Sequence, residues 1–311
     1  MEVALIAALL IGVLIATIRM ATPILFASIG ENLTELSGVI NLGMEGTMAM
    51  GAAIAFITSY TTKNLVFGVL SAMAVGGLMG LIMAFMCITL RANQVVVGVT
   101  VTIFGGGLAT YLYRVAFGFG ATPHLIGFNV VKIPILSEIP IVGPILFEHY
   151  ALTYLAIILT IAFHFLLSRT HWGLRIKATG ENPKASDTAG LNIYVIRYSC
   201  VIIGAIIAAI GGSFLTTAYS EIFLPGIVAG RGWMGVAVVM LARWGFLKAL
   251  GGSLLFGAAE AIQLRLQLQG FGIPPEFFQM SPYLIIILTL VLVARRMRPP
   301  QNLGVPYERG E

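Results

Sequence analysis

Residues 64–89 read NLVFGVLSAMAVGGLMGLIMAFMCIT, which is 26 positions without a charged side chain. A helix needs about 20 apolar residues to cross the hydrocarbon core of a bilayer, so this stretch is long enough to span a membrane. Gly76 and Gly80 are four residues apart within it, a spacing that lets two helix backbones approach closely in lipid. The stretch predicts a transmembrane helix packed tightly against a neighbour.

The same composition extends over the whole chain of 311 residues, of which 58% are hydrophobic and 10% are charged. An ordinary soluble domain has about 25% charged residues, so a soluble enzyme is excluded, and the high apolar content excludes disorder. We predict a single all-α domain over residues 1–311. It is a polytopic membrane helix bundle of about ten spans, at 3–19, 22–36, 39–60, 64–89, 92–115, 150–167, 195–219, 229–243, 247–268 and 282–297.

Two of the predicted spans, 22–36 and 229–243, are short and lie beside Gly or Pro residues, which is typical of broken or re-entrant helices. Gly-rich segments at 38–51 and 226–235 each begin a span. In a ten-span topology these two segments lie on opposite sides of the membrane. That arrangement suits an inverted repeat of two halves.

The Lys and Arg residues predict the orientation of the chain, because such residues concentrate in short cytoplasmic loops. Most of the 18 fall inside if the loop 168–194 is cytoplasmic, which gives a multi-pass cell-membrane protein with both termini inside. If 22–36 only enters the membrane without crossing it, the N-terminus is outside and there are nine crossings. With either number of crossings the loop 116–149, with four prolines, is expected to be an ordered external loop, and the tail 299–311 is expected to be frayed.

Asn41 and Glu45 are four residues apart and share one face of a helix in the segment GVINLGMEGTMAMG, residues 38–51. A carboxylate inside a membrane span is costly unless it faces water or a partner. Two interpretations therefore stay open. The pair lines a polar translocation path, or Glu45 anchors free backbone groups where the helix breaks. Glu31 and Glu35 can brace the same region.

Three further polar or aromatic residues are candidates for the translocation path. Asn93 and Gln94 stand at the mouth of a span, where a helix cap is the favoured interpretation. Trp233 can stack on a solute, although tryptophan at a membrane boundary is more often an interfacial anchor. Glu260 is expected to pair internally, with Gln263 and Arg265 close by in the sequence.

The internal loop contains a short predicted helix. Asn182 is its N-cap and Pro183 its first residue. Lys184 and the small residues after it continue the helix, and Gly190 ends it. A short exposed helix of small residues favours docking of another protein, with a solvated connector as the alternative.

The sequence predicts no catalytic residue, metal site or cofactor. A phosphate-binding loop needs a Lys that follows a Gly, and no Lys in this chain does so. The histidines are scattered and form no HExxH motif: His124, His149, His164 and His171. The Lys and Arg residues lie between apolar spans rather than along a basic stripe, so no nucleic-acid partner is expected. The chain itself is therefore predicted not to be an enzyme.

Three segments together resemble the permease subunits of bacterial and archaeal ABC importers for nucleosides, simple sugars and branched-chain amino acids. They are GVINLGMEGTMAMGA at 38–52, NQVVVGVTVTIFGGGL at 93–108 and THWGLRIKATGENPKASDTAGLN at 170–192. The version of the first segment with Glu45 is most similar to a subgroup that imports nucleosides with a lipoprotein of the basic membrane protein type. The similarity extends over about 20–297.

This resemblance implies a permease of an ATP-driven importer that moves a nucleoside or a simple sugar. It implies a second permease subunit, the same or different, two ATPase subunits on the cytoplasmic side, and an external solute-binding lipoprotein. The ATPases would contact a coupling loop formed by Gly180, Glu181, Asn182, Pro183, Lys184, Ala185, Ser186, Asp187 and Gly190. Lys184 departs from the family pattern, which has an acidic residue at that position.

An ion-coupled secondary transporter is the alternative function. Broken helices and intramembrane acids occur in that class too, and Glu45 or Glu260 would carry protons there. The energy source distinguishes the two classes, because an importer requires ATP and a partner ATPase while a secondary transporter requires an ion gradient.

Overall fold

The computed structural model describes residues 2–120, 122–268, 274–293 and 297–309. These residues confirm the predicted all-α bundle, with one antiparallel sheet of two short strands, β1 (Val130–Lys132) and β2 (Glu148–Tyr150). The helices are α1 (Glu2–Leu36), α2 (Met44–Thr62), α3 (Leu65–Ala84), α4 (Gln94–Phe117), α5 (Val142–Leu146), α6 (Ala151–Arg169), α7 (His171–Glu181), α8 (Pro183–Thr188), α9 (Ile193–Phe214), α10 (Arg231–Ala242), α11 (Phe246–Leu268), α12 (Pro275–Gln279) and α13 (Ser281–Val293). Two π-helical turns, Phe85–Thr89 and Leu215–Tyr219, continue α3 and α9.

Five of the described helical segments are long and apolar enough to cross a membrane. They are Leu9–Leu36, Leu65–Thr89, Gln94–Phe117, Ala151–Arg169 and Ile193–Tyr219. Two shorter apolar helices cover Arg231–Ala242 and Glu276–Leu292. The short helix predicted at 229–243 is thus present, as α10.

The expected break between spans 3–19 and 22–36 is wrong, because α1 is one continuous helix of 35 residues. Pro23 lies inside it and Arg19 does not end it. A membrane helix tolerates proline when hydroxyl groups and neighbouring helices satisfy the backbone around it. The Thr22 hydroxyl donates to the Ile18 carbonyl at 2.8 Å, and the Arg19 guanidinium lies 5.2 Å from the centre of the Tyr150 ring.

The end of the bundle where residues 297–309 lie is called the tail face below. The end of α1 lies there, since the Gly304 N–H donates to the Gly38 carbonyl at 3.0 Å. The loop before α4 lies there as well, because Arg91 pairs with Glu308 at 2.5 Å. Because α1 is unbroken, it starts at the opposite end, the far face. The two ends of the described chain are therefore on opposite faces, although 22–36 is part of the continuous helix α1 and not the re-entrant segment of the nine-crossing alternative.

Helix α9 is the centre of the bundle, and small residues bring its neighbours into contact with it. A Cβ atom on Gly76 would lie 2.5 Å from the Cβ of Ala209, and one on Gly80 would lie 2.7 Å from the Cβ of Ala205. Gly204 packs against the backbone of Gly30 in α1. The predicted small-residue faces thus pack within the chain, where any added side chain would push two helices apart.

The described residues of the loop between α4 and α6 include short regular elements. Its strands β1 and β2 pair antiparallel, and its N-terminal part packs on the end of α9. The Phe128 N–H donates to the Thr217 carbonyl, and the Leu125 N–H donates to the Glu221 carbonyl, each at 2.8 Å. The loop therefore covers the far face of the bundle.

Candidate functional site

The segment between α1 and α2 enters the bundle from the tail face without forming a helix. The Ile40 N–H donates to the side-chain oxygen of Gln94 at 2.8 Å, and the Thr102 hydroxyl donates to the Leu42 carbonyl at 2.9 Å. The non-helical segment therefore runs alongside the first two turns of α4. Helix α2 begins only at Met44, so it starts deep inside the bundle.

Helices α2 and α10 run in opposite directions. The last turn of α2 lies at the far end of α4, where the Tyr60 and Phe117 rings are 5.1 Å apart. Just after α10, the Trp244 indole N–H donates to Glu35 near the end of α1, at 2.5 Å. Helix α2 thus runs toward the far face and α10 toward the tail face, and their first turns meet inside the bundle.

Glu45 joins these two first turns. Its carboxylate oxygens accept the N–H groups of Gly230 and Gly232, each at 2.8 Å. The first N–H groups of a helix have no partner within the helix, and a negative charge is favourable beside them. The side chain can therefore anchor the backbone at the start of α10, as the second interpretation of Glu45 requires.

Helices α2 and α10 approach each other so closely at this point that no side chain fits on α10. A Cβ atom on Gly232 would lie 2.6 Å from both the N and the Cα of Glu45. Gly230 takes a left-handed φ of +82°, which favours glycine. The contact with α2 thus requires glycine at 232, and the left-handed backbone favours it at 230.

Asn41 is buried and shapes the turn before α2. Its side-chain oxygen accepts the Gly43 N–H at 3.0 Å, and its own N–H donates to Glu31 at 2.9 Å. Glu31 and Glu35 are both fully buried at the tail-face end of α1, and they hold the turns before α2 and after α10. These contacts agree with the bracing role suggested for the two glutamates.

The remaining path candidates are Asn93 and Gln94 at the start of α4 and Trp233 in the first turn of α10. Asn93 is the N-cap of α4, as predicted, and accepts from Val95 and Val96 at 3.0 and 3.2 Å. Gln94 is buried and holds Ile40. Trp233 follows Gly232 at the depth of Glu45 and is 38% exposed, so it alone among the five presents a large side chain to a surface.

Glu260 pairs with Arg231, which sequence reasoning did not connect to it. The guanidinium is 3.2 Å from the Glu260 carboxylate, and both side chains are largely buried. Glu260 does pair internally, as expected, but its partner is not Arg265. The Arg265 guanidinium instead donates to the Leu9 carbonyl at 2.7 Å. The signal available in the sequence was only that each residue is a charge inside a span.

A cavity of about 350 Å³ adjoins this ion pair. It extends from the first turn of α10 toward the far face. Its polar lining includes Arg231, Glu260, Gln263, Gln279 and Tyr283. Amide, hydroxyl and charged groups on a concave surface can bind a solute with several hydrogen-bonding groups.

The loop on the tail face contains two helices, of which the sequence predicted one. Helix α8 has the predicted cap, since the Asn182 side chain accepts the Ala185 N–H at 3.0 Å. Gly190 follows it with a φ of +85°. Helix α7 was missed, although the hydroxyl of Thr170 accepts the Gly173 N–H as an N-cap at 3.3 Å.

The candidate coupling residues divide by where they point. Gly180, Pro183 and Ser186 are buried against the bundle. Glu181 and Asp187 hold the C-terminal tail, which corrects the expectation of a frayed tail for its described residues, 299–309. The exposed residues that remain are Asn182, Lys184, Ala185 and Gly190. A docking surface on α8 would therefore be narrow.

Residues 3–290 match the protein family described as the branched-chain amino acid transport system permease component. The chain is 39% identical over 270 residues to TsgC13 of Haloferax volcanii, whose name assigns it as a glucose ABC transporter permease, covering 85% of this chain and 80% of that protein. It is 33% identical over 311 residues to the guanosine ABC transporter permease NupQ of Bacillus subtilis, covering 95% and 96%. It is 32% identical over 297 residues to the nucleoside ABC transporter permease NupC of Lactococcus lactis, covering 92% and 93%.

Proposed function

The chain belongs to the permease-component family of branched-chain amino acid transport systems, and from this membership we propose that it is the pore-forming subunit of an ATP-driven nucleoside importer. The observation that carries the proposal is the pair of relatives named for guanosine and nucleoside transport, which the chain matches over almost its whole length. The Glu45 form of the first motif supports the same solute class. A simple sugar is the second candidate solute, favoured by the higher identity to a relative named for glucose.

The exposed face of α8 is the proposed docking site of the ATPase subunits. Its exposed side chains Lys184 and Ala185 project from the tail face and can insert into a groove on a partner protein. The cap at Asn182 stabilises the first turn of this short helix, so the helix can move as a unit with a bound ATPase subunit. The tail face would then be cytoplasmic, and with it the C-terminus.

The junction at Glu45 is the proposed centre of the solute path. Two helices that start inside the bundle and run in opposite directions can tilt about their shared first turns. Trp233 and the cavity beside Arg231 lie next to that junction. The cavity opens toward the far face, where a solute-binding lipoprotein would release the solute. A second permease subunit, identical or different, would complete the pore.

The ion-coupled alternative has less support in the geometry. Its two candidate proton carriers are both engaged, Glu45 by two backbone N–H groups and Glu260 by Arg231. A proton carrier must release such contacts in every cycle.

The test is purification of the tagged chain from its own membranes, followed by reconstitution of the purified complex in liposomes. We expect an ATPase subunit to co-purify and labelled guanosine uptake to require ATP. Labelled glucose, supplied under the same conditions, distinguishes the second solute class. Uptake by the chain without an ATPase, driven by an imposed ion gradient and indifferent to ATP, would overturn the proposal.

A further inference from the structure

The C-terminal tail is bound to the end of α7, directly before the coupling helix. The Asn302 N–H donates to the Gly180 carbonyl at 3.0 Å, and the Asn302 amide donates to the Glu181 carbonyl at 2.6 Å. The Gln301 N–H reaches the Glu181 carboxylate at 3.3 Å. The last carbonyls of a helix lack partners within it, so the tail satisfies groups that α7 leaves open.

The same tail then crosses to the segment that leads into α2. The Gly304 N–H donates to the Gly38 carbonyl at 3.0 Å. One residue later, the Val305 carbonyl accepts from Arg197 at 3.1 Å, and Arg197 also donates to Ser37 at 3.2 Å. Arg197 is 2% exposed. A buried charge needs hydrogen-bond partners, so the tail is part of what keeps this arginine inside the bundle.

The last described residues reach two more elements. Glu308 pairs with Arg91 in the turn before α4. Arg309 lies 3.2 Å from Asp187 at the end of α8, and the buried Tyr307 packs against the ring of Tyr194 at 6.1 Å. Ten residues thus connect both helices of the coupling loop with the start of α4, the start of α9 and the non-helical segment 37–43, which leads to Glu45 in the first turn of α2.

We propose that residues 300–309, called the tail strap here, carry movement of α7 and α8 to the segment 37–43 and so to the Glu45 junction. The inference rests on the proposed function, because it requires an ATPase that moves α8. In this proposal the tail, which contacts α7, α8 and the segment 37–43, takes part in energy coupling together with α8. Helix α7 itself approaches the pore segment at Gly180, where a Cβ atom would lie 3.2 Å from the backbone N of Gly38. The strap adds hydrogen bonds on either side of that point.

The test uses the whole transporter, with all of its subunits, reconstituted in liposomes. One variant ends after Arg298 and lacks the strap. Two others keep it but loosen it: Asn302→Ala removes the bond to Glu181, and Gly304→Ala strains a φ of +78° and places a Cβ 3.0 Å from Ile40. Gln301→Ala is the control, since its exposed side chain makes none of the contacts described above and its N–H remains.

The measured quantity is the number of ATP molecules hydrolysed for each guanosine imported. We expect this ratio to rise about fivefold or more in the truncated chain, which is the fold-change that a typical coupling free energy produces. The ratio should rise less in the two point variants. The ATPase subunits should still co-purify, and Gln301→Ala should match the parent. If truncation prevents membrane insertion, the two point variants decide.

A ratio that stays within about twofold of the parent in the truncated chain and in both point variants overturns the inference, since it falls below ordinary coupling effects. A merely structural tail would lower the amount of folded transporter and leave the ratio unchanged. Failure of the ATPase to co-purify with the parent chain would instead overturn the proposed function. The two failures are therefore distinguishable.

Discussion

Glu45 and Gly232 are 187 positions apart in the sequence, and the carboxylate of the first accepts the backbone N–H of the second at 2.8 Å. This bond ties the first turn of α2 to the first turn of α10. A hydrogen bond to a charged group contributes about 1.5–3 kcal/mol. Glu45 makes two such bonds, so its carboxylate is a substantial part of what holds the two helix starts together.

Replacement of Glu45 should separate its anchoring role from proton transport. Glu45→Gln keeps the shape and one good acceptor, so we expect partial uptake activity. Glu45→Leu leaves two N–H groups buried without a partner, at a cost of about 1–3 kcal/mol each, and should abolish uptake and lower the yield of monodisperse protein. The measurements are guanosine uptake and size-exclusion profiles. An uptake rate that varies with pH in the parent but not in the Gln variant would support the proton-coupled alternative.

The close approach at Gly232 predicts a large effect from a single methyl group. In Gly232→Ala the added Cβ would meet backbone atoms of Glu45, which cannot rotate away. We expect the thermal midpoint in detergent to fall clearly, with loss of uptake. Gly251→Ala is the matched control, because nothing lies within 4 Å of a Cβ there. Alanine is better than glycine in a helix by about 1 kcal/mol, so the control should be as stable as the parent or more so. Equal midpoints for the two variants would contradict the structure.

Local features of this chain were predictable from its sequence, and contacts across it were not. The caps at Asn93 and Asn182 bind N–H groups two or three residues away, so the pattern alone predicts them. Glu45 binds residues 185 and 187 positions away, and one sequence offers no measure of that distance. The break expected after Arg19 failed for a similar reason, since the partner of Arg19 is the distant Tyr150. The tail was expected to be frayed because its partners, among them Gly38, Arg91 and Asp187, are distant in the sequence.

Replacing one member of the ion pair of Arg231 and Glu260 should destabilise the protein more than replacing both. Arg231→Met or Glu260→Met alone leaves a largely buried charge without its partner, which destabilises by about 3–5 kcal/mol. The double variant removes both charges and should recover most of that loss. Thermal unfolding of the three variants in detergent measures this cycle. Additive effects of the two single changes would show that the pair does not interact.

The cavity beside this pair predicts residues that act on solute affinity. Gln263→Leu and Gln279→Leu each remove hydrogen-bonding groups from its wall while nearly preserving volume. Loss of one hydrogen bond to a neutral solute costs about 0.5–1.5 kcal/mol, so KM for guanosine uptake should rise about twofold to tenfold with ATP hydrolysis unchanged. Thr61→Leu on the exposed far end of α2 is the control. A KM equal to that of the parent in both Gln variants would exclude the cavity from the solute path.

The exposed face of α8 predicts where a single charge uncouples the transporter. Ala185 is exposed, whereas Ser186 is buried and its hydroxyl donates to the Asn182 carbonyl at 2.9 Å, so a bulky change at Ser186 would disturb the helix itself. We therefore expect Ala185→Arg to insert and fold normally but to reduce guanosine uptake about tenfold or more, as truncation or obstruction at the centre of an interface does. Thr61→Arg places the same charge on the far face, away from α8, and should leave co-purification of the ATPase unchanged. Co-purification of the ATPase with each variant separates lost docking from lost coupling. Full uptake by Ala185→Arg would show that the ATPase docks elsewhere on the tail face.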